Sequence, residues 1–204
     1  YVRALSREAV VNTYNRLLKI AEGATLMTET ELEVEFLGGC YNTLQNKELV
    51  NLIHETMHEV EITQWTEEEL EYAKRLDAEV TNSPVLGKGS LLKGHIHQDI
   101  MPIMNMDVYG STDVGDAQHI APGVFLTTAC SNIGAAGHSW HNTACAGNSI
   151  GQKGMLHGAK IMAVAGIKAL SDHSIIHRAK EEFKNSMDGK EYICPITADI
   201  KIPE

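Results

Sequence analysis

The chain has 204 residues, a length that suits one domain or one domain with part of another. Its net charge of −10 and pI near 5.4 argue against nucleic acid and anionic membranes as partners, because both attract basic surfaces. No apolar stretch reaches the roughly 18 residues of a membrane-spanning helix, and nothing at the start reads as a signal peptide. The four cysteines lack C-x-x-C spacing, which indicates reduced thiols in a cytoplasmic protein.

Residues 1–42 predict a strand, a helix and a second strand. Residues 1–4 read as the middle of a strand, which suggests that the chain is a C-terminal piece of something longer. Ser6 is typical of a helix N-cap, and Gly23 stands where that helix is expected to end. Residues 31–36 alternate glutamate with apolar residues, as a strand with one buried face does. The whole resembles half of a split β-α-β sandwich.

Residues 43–204 predict helices that alternate with short strands. Helices are expected after Asn46, after a capping box at Thr66, after a second capping box at Ser149, and over about 174–185. Strands are expected at 107–109, 124–129 and 192–194, and 81–106 is expected to be irregular. The pattern as a whole predicts an α/β fold.

The segment His54-Glu55-Thr56-Met57-His58 matches the H-E-x-x-H motif of zinc metalloproteases. On a helix, His54 and His58 share one face, and Glu55 is the candidate general base. No third ligand follows at the expected spacing, and the apolar stripe of the helix leaves both histidines at its flank. Two interpretations stay open, a zincin-type protease site and an ordinary solvated helix.

Two weaker patterns also have two interpretations each. His95 and His97 fall on one face of an extended segment, where they form either a metal-binding pair or the polar edge of a loop. Cys145 lies close in sequence to His138 and His141, so it is either the nucleophile of a Cys–His pair or a buried structural cysteine.

Two glycine-containing segments carry the sharper signal. Residues 110–116 (Gly-Ser-Thr-Asp-Val-Gly-Asp) form a predicted turn whose backbone N–H groups can face a substrate carboxylate or carbonyl. Residues 137–140 (Gly-His-Ser-Trp) present His138 on a loop, where metal ligands are often found. Taken singly, the first segment also suits a self-bonded turn and the second an ordinary loop histidine.

Together, these segments resemble the C-terminal part of the aminoacylase and carboxypeptidase-G superfamily of metal-dependent amidohydrolases, and within it the aminobenzoyl-glutamate hydrolase subgroup. The resemblance covers nearly the whole chain and is specific between about 107 and 165. It implies that 1–42 is the second half of a ferredoxin-like lid and dimerisation domain. It also implies that 43–204 is the C-terminal half of a zinc-peptidase-like α/β catalytic domain.

The resemblance further implies a reaction. Two divalent metals, zinc or manganese, share a water that attacks the amide carbonyl of an N-acyl amino acid, for which an aroyl-glutamate is the expected example. His138 corresponds to the last metal ligand. Arg3, Ser111 and Thr112 correspond to substrate-binding positions, and Asp113 to a residue that orients the loop. A homodimer or hetero-oligomer is expected to form through the lid, with neither nucleic acid nor membrane as a partner.

The sequence departs from the family pattern in what it lacks. The general-base glutamate and the other metal ligands have no counterpart in these 204 residues, so the chain is expected to need an upstream half for activity. Gly38-Gly39 also replaces the basic residue expected after the second lid strand. A non-catalytic assembly role is the remaining alternative. The metal-ligand assignment requires His138 to face a cleft, and a ring that points into solvent counts against it.

Overall fold

A computed structural model describes residues 1–80, 91–108 and 110–196. Of these residues, 52% are helical and none lies in a β-sheet. The helices are α1 (Arg7–Thr28), α2 (Lys47–Glu59), α3 (Glu67–Ala78), α4 (Val114–Gln118), α5 (Trp140–Ala146), α6 (Ser149–Ser171) and α7 (His173–Met187). A single isolated β-bridge joins Gln45 to Gly123 among the described residues. The prediction of an α/β fold is therefore wrong.

The segments predicted as strands have no regular structure at 1–4, 31–36, 107–108, 124–129 and 192–194. Tyr109, the last residue of one predicted strand, lies outside the described residues, and so does 81–90, the first part of the segment predicted to be irregular. Alternating polarity produces a strand only where a neighbouring strand pairs with its backbone. Leu32 and Val34, which the alternation assigns to a buried face, are 42% and 49% exposed. Phe36 instead packs edge-on against Tyr14 of α1, with ring centroids 6.0 Å apart.

Most helices begin where their local signals predict. The Ser6 hydroxyl accepts a hydrogen bond from the Ala9 N–H at 3.2 Å and caps α1. This helix passes through Gly23 and ends at Thr28, and the next residue, Glu29, provides the C-cap in a left-handed conformation (φ 53°). The prediction that α1 ends at Gly23 is therefore wrong. A Cβ built at Gly23 would have no neighbour within 4 Å, so no tertiary contact at this glycine interrupts the helix.

The capping box at Thr66 is confirmed at the start of α3. The second capping box is wrong in detail, because Asn148 rather than Ser149 caps α6, its side chain accepting a hydrogen bond from the Ile150 N–H at 2.8 Å. The short helices α4 and α5 have no counterpart among the predicted elements.

The chain divides into two compact units, each made of separate stretches of sequence. The first contains Tyr1–Lys47, Met104–Val124 and Arg178–Glu204, and the second contains Glu48–Ile103 and Phe125–His177. The assignment of 1–42 to a lid and of 43–204 to a catalytic domain rests on the family resemblance. The two compact units do not test it, so it stays a prediction.

The second unit holds a buried apolar cluster in which Ala73 and Leu76 of α3 pack with Ile96, Cys145 and Ile150. Helix α6 packs closely on the loop that precedes the cysteine Cys130. A Cβ at Gly154 would lie 2.7 Å from the Cys130 sulfur and closer still to the Ala129 carbonyl. Gly154 therefore permits the close approach of α6 to this loop, because a side chain there would collide with it. No helix in the described parts of the chain has the length and hydrophobicity to cross a membrane.

Candidate functional site

Two residues predicted to bind substrate meet in the first unit. The Arg3 guanidinium donates a hydrogen bond from Nη1 to the Ser111 hydroxyl at 2.9 Å, across 108 positions of sequence. Both side chains are exposed. Arg3 thus brings a positive charge to the beginning of the Gly-Ser-Thr-Asp turn, while the role of both residues in substrate binding stays a prediction.

The same turn is held in place by its second half. Gly115 lies so close to the chain at residues 41–42 that a Cβ there would lie 2.8 Å from the Asn42 carbonyl oxygen and closer still to that of Tyr41. The carboxylate of the following residue, Asp116, accepts hydrogen bonds from the Tyr41 N–H at 3.2 Å and from the Tyr192 hydroxyl at 3.0 Å. Gly115 and Asp116 therefore form a scaffold that presents residues 111–113.

An aromatic cluster surrounds this scaffold. The Tyr41 ring lies 4.6 Å from the His119 ring and 5.0 Å from the Tyr192 ring, centroid to centroid. The Arg7 guanidinium lies 5.9 Å from the Tyr41 centroid, within cation–π distance. Burial, together with the hydrogen bond to Asp116, holds the pKa of the Tyr192 phenol above its usual range, so this hydroxyl stays a donor.

The other two predicted substrate-binding residues lie beside Ser111. The Thr112 hydroxyl accepts a weak hydrogen bond from the Val114 N–H at 3.4 Å, and Thr112 is half-buried. Asp113 is exposed and precedes α4 without capping it through its side chain. Its backbone carbonyl accepts a hydrogen bond from the Asp116 N–H at 3.0 Å. Only the backbone of Asp113 therefore contributes to the turn, and an orienting role for its carboxylate stays a prediction.

His138 lies in the second unit, on the loop before α5. Its backbone has a φ of 60°, a left-handed conformation that residues other than glycine rarely adopt. Ser139 fixes the loop, because its hydroxyl donates to the Ala136 carbonyl at 2.7 Å and accepts from the Asn142 N–H. His138 is exposed. This exposure counts against the metal-ligand assignment of His138, and since no contact of the described residues tests that role directly, the assignment stays a prediction.

The histidines of the H-E-x-x-H segment lie together on α2, as the helical spacing predicts. The rings of His54 and His58 are 4.9 Å apart and nearly perpendicular. Glu55 is exposed. Across the described residues, no three His, Cys, Asp or Glu side chains converge closely enough to hold a metal ion. The pair therefore has no third ligand among those residues, and the zincin interpretation gains nothing.

A buried carboxylate that the sequence analysis missed organises the second unit. Asp77, 7% exposed at the end of α3, accepts hydrogen bonds from Asn132 Nδ2 at 2.7 Å and from the Gly134 N–H at 2.8 Å. Its other oxygen lies 2.7 Å from His95 Nδ1. Since Ile96 is fully buried, the His95 segment is a packed element of the core, and the interpretation as a polar loop edge fits it only in part.

The cysteine near His138 belongs to the same network. Cys145 is fully buried, and its thiol donates to Asn132 Oδ1 at 3.6 Å. Burial raises the pKa of the Cys145 thiol, which disfavours the thiolate that a nucleophile requires. The structure supports the interpretation of Cys145 as a structural cysteine.

The signals for Asp116 and Asp77 were present but indistinct. Asp116 is the second acidic residue of the 110–116 motif, and the resemblance assigns a role only to the first, Asp113. Asp77 lies among many acidic residues on a helix whose first turn holds Glu67, Glu68 and Glu69. Tyr192 belongs to no motif, because its contact with Asp116 depends on the fold.

Comparison with known proteins gives a single kind of evidence. No family model matches the chain, and no solved structure matches it. A curated relative, the B subunit of p-aminobenzoyl-glutamate hydrolase from Escherichia coli (strain K12), is 30% identical over 217 aligned residues. The alignment covers 98% of this chain and 45% of the relative, so the chain spans about half of that relative's length.

This match confirms the resemblance predicted from the sequence. Along nearly its whole length, the chain is related to the B subunit of p-aminobenzoyl-glutamate hydrolase, and it corresponds to the C-terminal portion of that family.

Proposed function

We propose that this chain is part of a metal-dependent amidohydrolase that cleaves an N-acyl amino acid of the aminobenzoyl-glutamate type. The relative is named as a hydrolase of p-aminobenzoyl-glutamate. The observation that carries the proposal is the contact between Arg3 and Ser111, because two residues expected to bind the substrate meet although they are far apart in sequence.

The chemistry of this contact suits a carboxylate. The chain has 27 acidic against 17 basic residues, so an anionic substrate needs a local positive charge to approach it. Arg3 supplies that charge, and a guanidinium has several N–H groups with which to bind a carboxylate in a bidentate manner. Ser111 accepts one of them, which leaves its own hydroxyl hydrogen to donate to a substrate oxygen.

His138 is proposed as one ligand of the metal pair, zinc or manganese, on the basis of the resemblance. Its left-handed backbone supports a special role, since strained conformations are often retained at functional sites. The described residues do not form a complete metal site. We therefore assign no metal-dependent reaction step to the described residues. The general base and the other ligands are proposed to come from polypeptide that corresponds to the unmatched part of the relative.

We also propose that the protein works as a homodimer or hetero-oligomer through the region 1–42. Helix α1 has no buried residue along its 22 positions. Five of its large apolar side chains are 40–83% exposed, namely Val11, Leu17, Ile20, Leu26 and Met27. Exposed apolar side chains along a helix that has no buried residue are available for an interface with another polypeptide.

Kinetics of the longest natural form of the protein test the substrate site. Arg3→Ala is expected to lower kcat/KM for p-aminobenzoyl-glutamate by about 10- to 100-fold, the cost of about 1.5–3 kcal/mol for a charged hydrogen bond. The loss is expected to disappear for an analogue whose glutamate carboxylates are amides. Arg16→Ala, on the exposed surface of α1, is the matched control. Equal values for both variants would contradict the Arg3 assignment.

Metal analysis of the same protein tests the metal site. His138→Ala is expected to lose metal and activity, whereas His173→Ala, an exposed histidine at the start of α7, keeps both. Glu55→Gln is expected to leave hydrolysis intact, because the zincin interpretation alone needs that carboxylate. Absence of hydrolysis by the wild-type protein with either zinc or manganese would remove the proposal altogether.

A further inference from the structure

Two segments of the first unit lie side by side in opposite directions. A Cβ built at Gly39 lies 3.4 Å from the Cβ of Pro195. A Cβ built at the preceding residue, Gly38, lies nearest to Ile196, at 3.9 Å from its Cγ1. One step back along the first segment therefore corresponds to one step forward along the second, which is an antiparallel register.

This register places Cys40 opposite Cys194. The residues next to these two cysteines are also in contact, since the Ile193 N–H donates to the Tyr41 hydroxyl at 3.3 Å. Opposed residues in antiparallel segments have neighbouring Cβ atoms on the same side. The separation of 3.4 Å at positions 39 and 195 is close to the Cβ–Cβ distance that a disulfide spans.

The segments that carry the two cysteines also share a neighbour, Asp116. Asp116 accepts a hydrogen bond from the Tyr41 N–H, next to Cys40, and another from the Tyr192 hydroxyl. Tyr192 lies two residues before Cys194 in the chain. Burial, with Asp116 as a nearby anion, raises the pKa of the Cys40 thiol. Both cysteines therefore lie within the surroundings of a single carboxylate.

We propose that Cys40 and Cys194 form a reversible intramolecular disulfide, and that this pair is a redox-modification site of the protein. Both thiols are free and exposed in the structure. The remaining cysteines are less accessible, since Cys130 is half-buried and Cys145 is fully buried. The cross-link joins the chain on both sides of the Asp116 scaffold that presents the Gly-Ser-Thr-Asp turn.

The oxidant is a small-molecule disulfide such as glutathione disulfide. The thiolate of one cysteine attacks a glutathione sulfur, the glutathione S–S bond breaks, and one glutathione thiolate leaves. The thiolate of the second cysteine then attacks the protein sulfur of the mixed disulfide and expels the second glutathione. Two protein thiols are oxidised, one glutathione disulfide is reduced, and the two protons pass to the released glutathione. Alkaline pH favours the reaction, because the raised pKa of Cys40 limits its thiolate fraction.

Peptide mapping after incubation of the whole chain in glutathione redox buffer at alkaline pH tests the proposal. The expected product is a monomer with one Cys40–Cys194 cross-linked peptide, and an intact mass lower by two hydrogen atoms. Its thermal melting temperature is expected to rise by several degrees and to return on reduction. Cys40→Ser and Cys194→Ser are expected to lose the cross-link and the shift, whereas Cys130→Ser keeps both.

Three results would overturn the proposal. They are separate glutathione adducts on both cysteines without a cross-link, a disulfide between two copies of the chain, and a cross-link that pairs either cysteine with Cys130. None of them bears on hydrolysis, so failure here is distinguishable from failure of the proposed amidohydrolase activity.

Discussion

Glu69 is expected to contribute measurably to the stability of the second unit through its charge. Its carboxylate accepts hydrogen bonds from Lys153 Nζ at 2.7 Å, from the Ser149 hydroxyl at 2.6 Å and from the Thr66 N–H at 2.8 Å. Burial alone would raise the pKa of Glu69, but these three hydrogen bonds outweigh it and lower the pKa from 4.5 to about 2. The ionised form is therefore favoured in the folded state.

The size of this effect follows from the shift. At about 1.4 kcal/mol for each pKa unit, a change from 4.5 to about 2 sets a ceiling of about 3.5 kcal/mol. Lys153 is 35% exposed, so solvent screening reduces the expected contribution to about 2 kcal/mol. Since the folded pKa lies below the unfolded one, this stability is present above about pH 4.5 and is lost as the pH falls towards 2.

Urea denaturation followed by helical circular dichroism measures this contribution. Glu69→Gln keeps a side chain that can serve the capping box, so it mainly removes the charge. The variant is expected to lose about 2 kcal/mol at pH 7 and to differ far less from wild type near pH 2. Glu71→Gln is the control, because its pair with Lys74 is more than half exposed and is expected to contribute under about 0.5 kcal/mol. Equal losses for the two variants at pH 7, or a Glu69→Gln effect that does not shrink in acid, would refute the reasoning.

Two further substitutions test the buried contacts. Asp77→Asn replaces an acceptor oxygen with a donor, so we expect a loss of about 1–3 kcal/mol by urea denaturation and faster hydrogen exchange at the Gly134 amide. Asp99→Asn, at an exposed position, should leave both unchanged. Gly115→Ala drives a methyl group into backbone carbonyls and is expected to cost about 1–3 kcal/mol. Gly110→Ala, which meets only the Val108 side chain at 3.8 Å, should cost much less, and equal costs would contradict the scaffold role of Gly115.

The helices could be predicted from the sequence because their signals are local. Thr66 and Glu69 lie three residues apart, and the capping box needs nothing beyond those residues and their own backbone. The strands could not be predicted in the same way. The alternation at 31–36 states which side chains share a face, but whether a neighbouring segment pairs with the backbone is a non-local property. Among the described residues no strand pairs with this segment, so Leu32 and Val34 stay exposed, whereas Phe36 packs on Tyr14 of α1.

The candidate site shows the same division between local and distant information. The resemblance selected Arg3 and Ser111 separately, and their contact agrees with that selection. For His138 the sequence identified the loop, and the capping of α5 by Ser139 is as local as the other caps. The surroundings of the His138 imidazole depend on residues far away in the sequence. The Gly-His-Ser-Trp pattern alone therefore could not predict that His138 is exposed.

The 110–116 motif combines two tasks that its sequence does not separate. Gly115 and Asp116 are structural, because one permits the backbone at 41–42 to approach and the other ties that backbone to Tyr192. Ser111 and Asp113 are exposed, and the neighbouring scaffold holds them in place. Since exposed hydroxyl and carboxylate groups on a firmly anchored turn lose little entropy when they bind, this arrangement suits ligand recognition. Asp116 holds this turn through hydrogen bonds from the Tyr41 N–H and the Tyr192 hydroxyl. The proposed disulfide between the nearby Cys40 and Cys194 would therefore affect the same turn that the proposed substrate contacts.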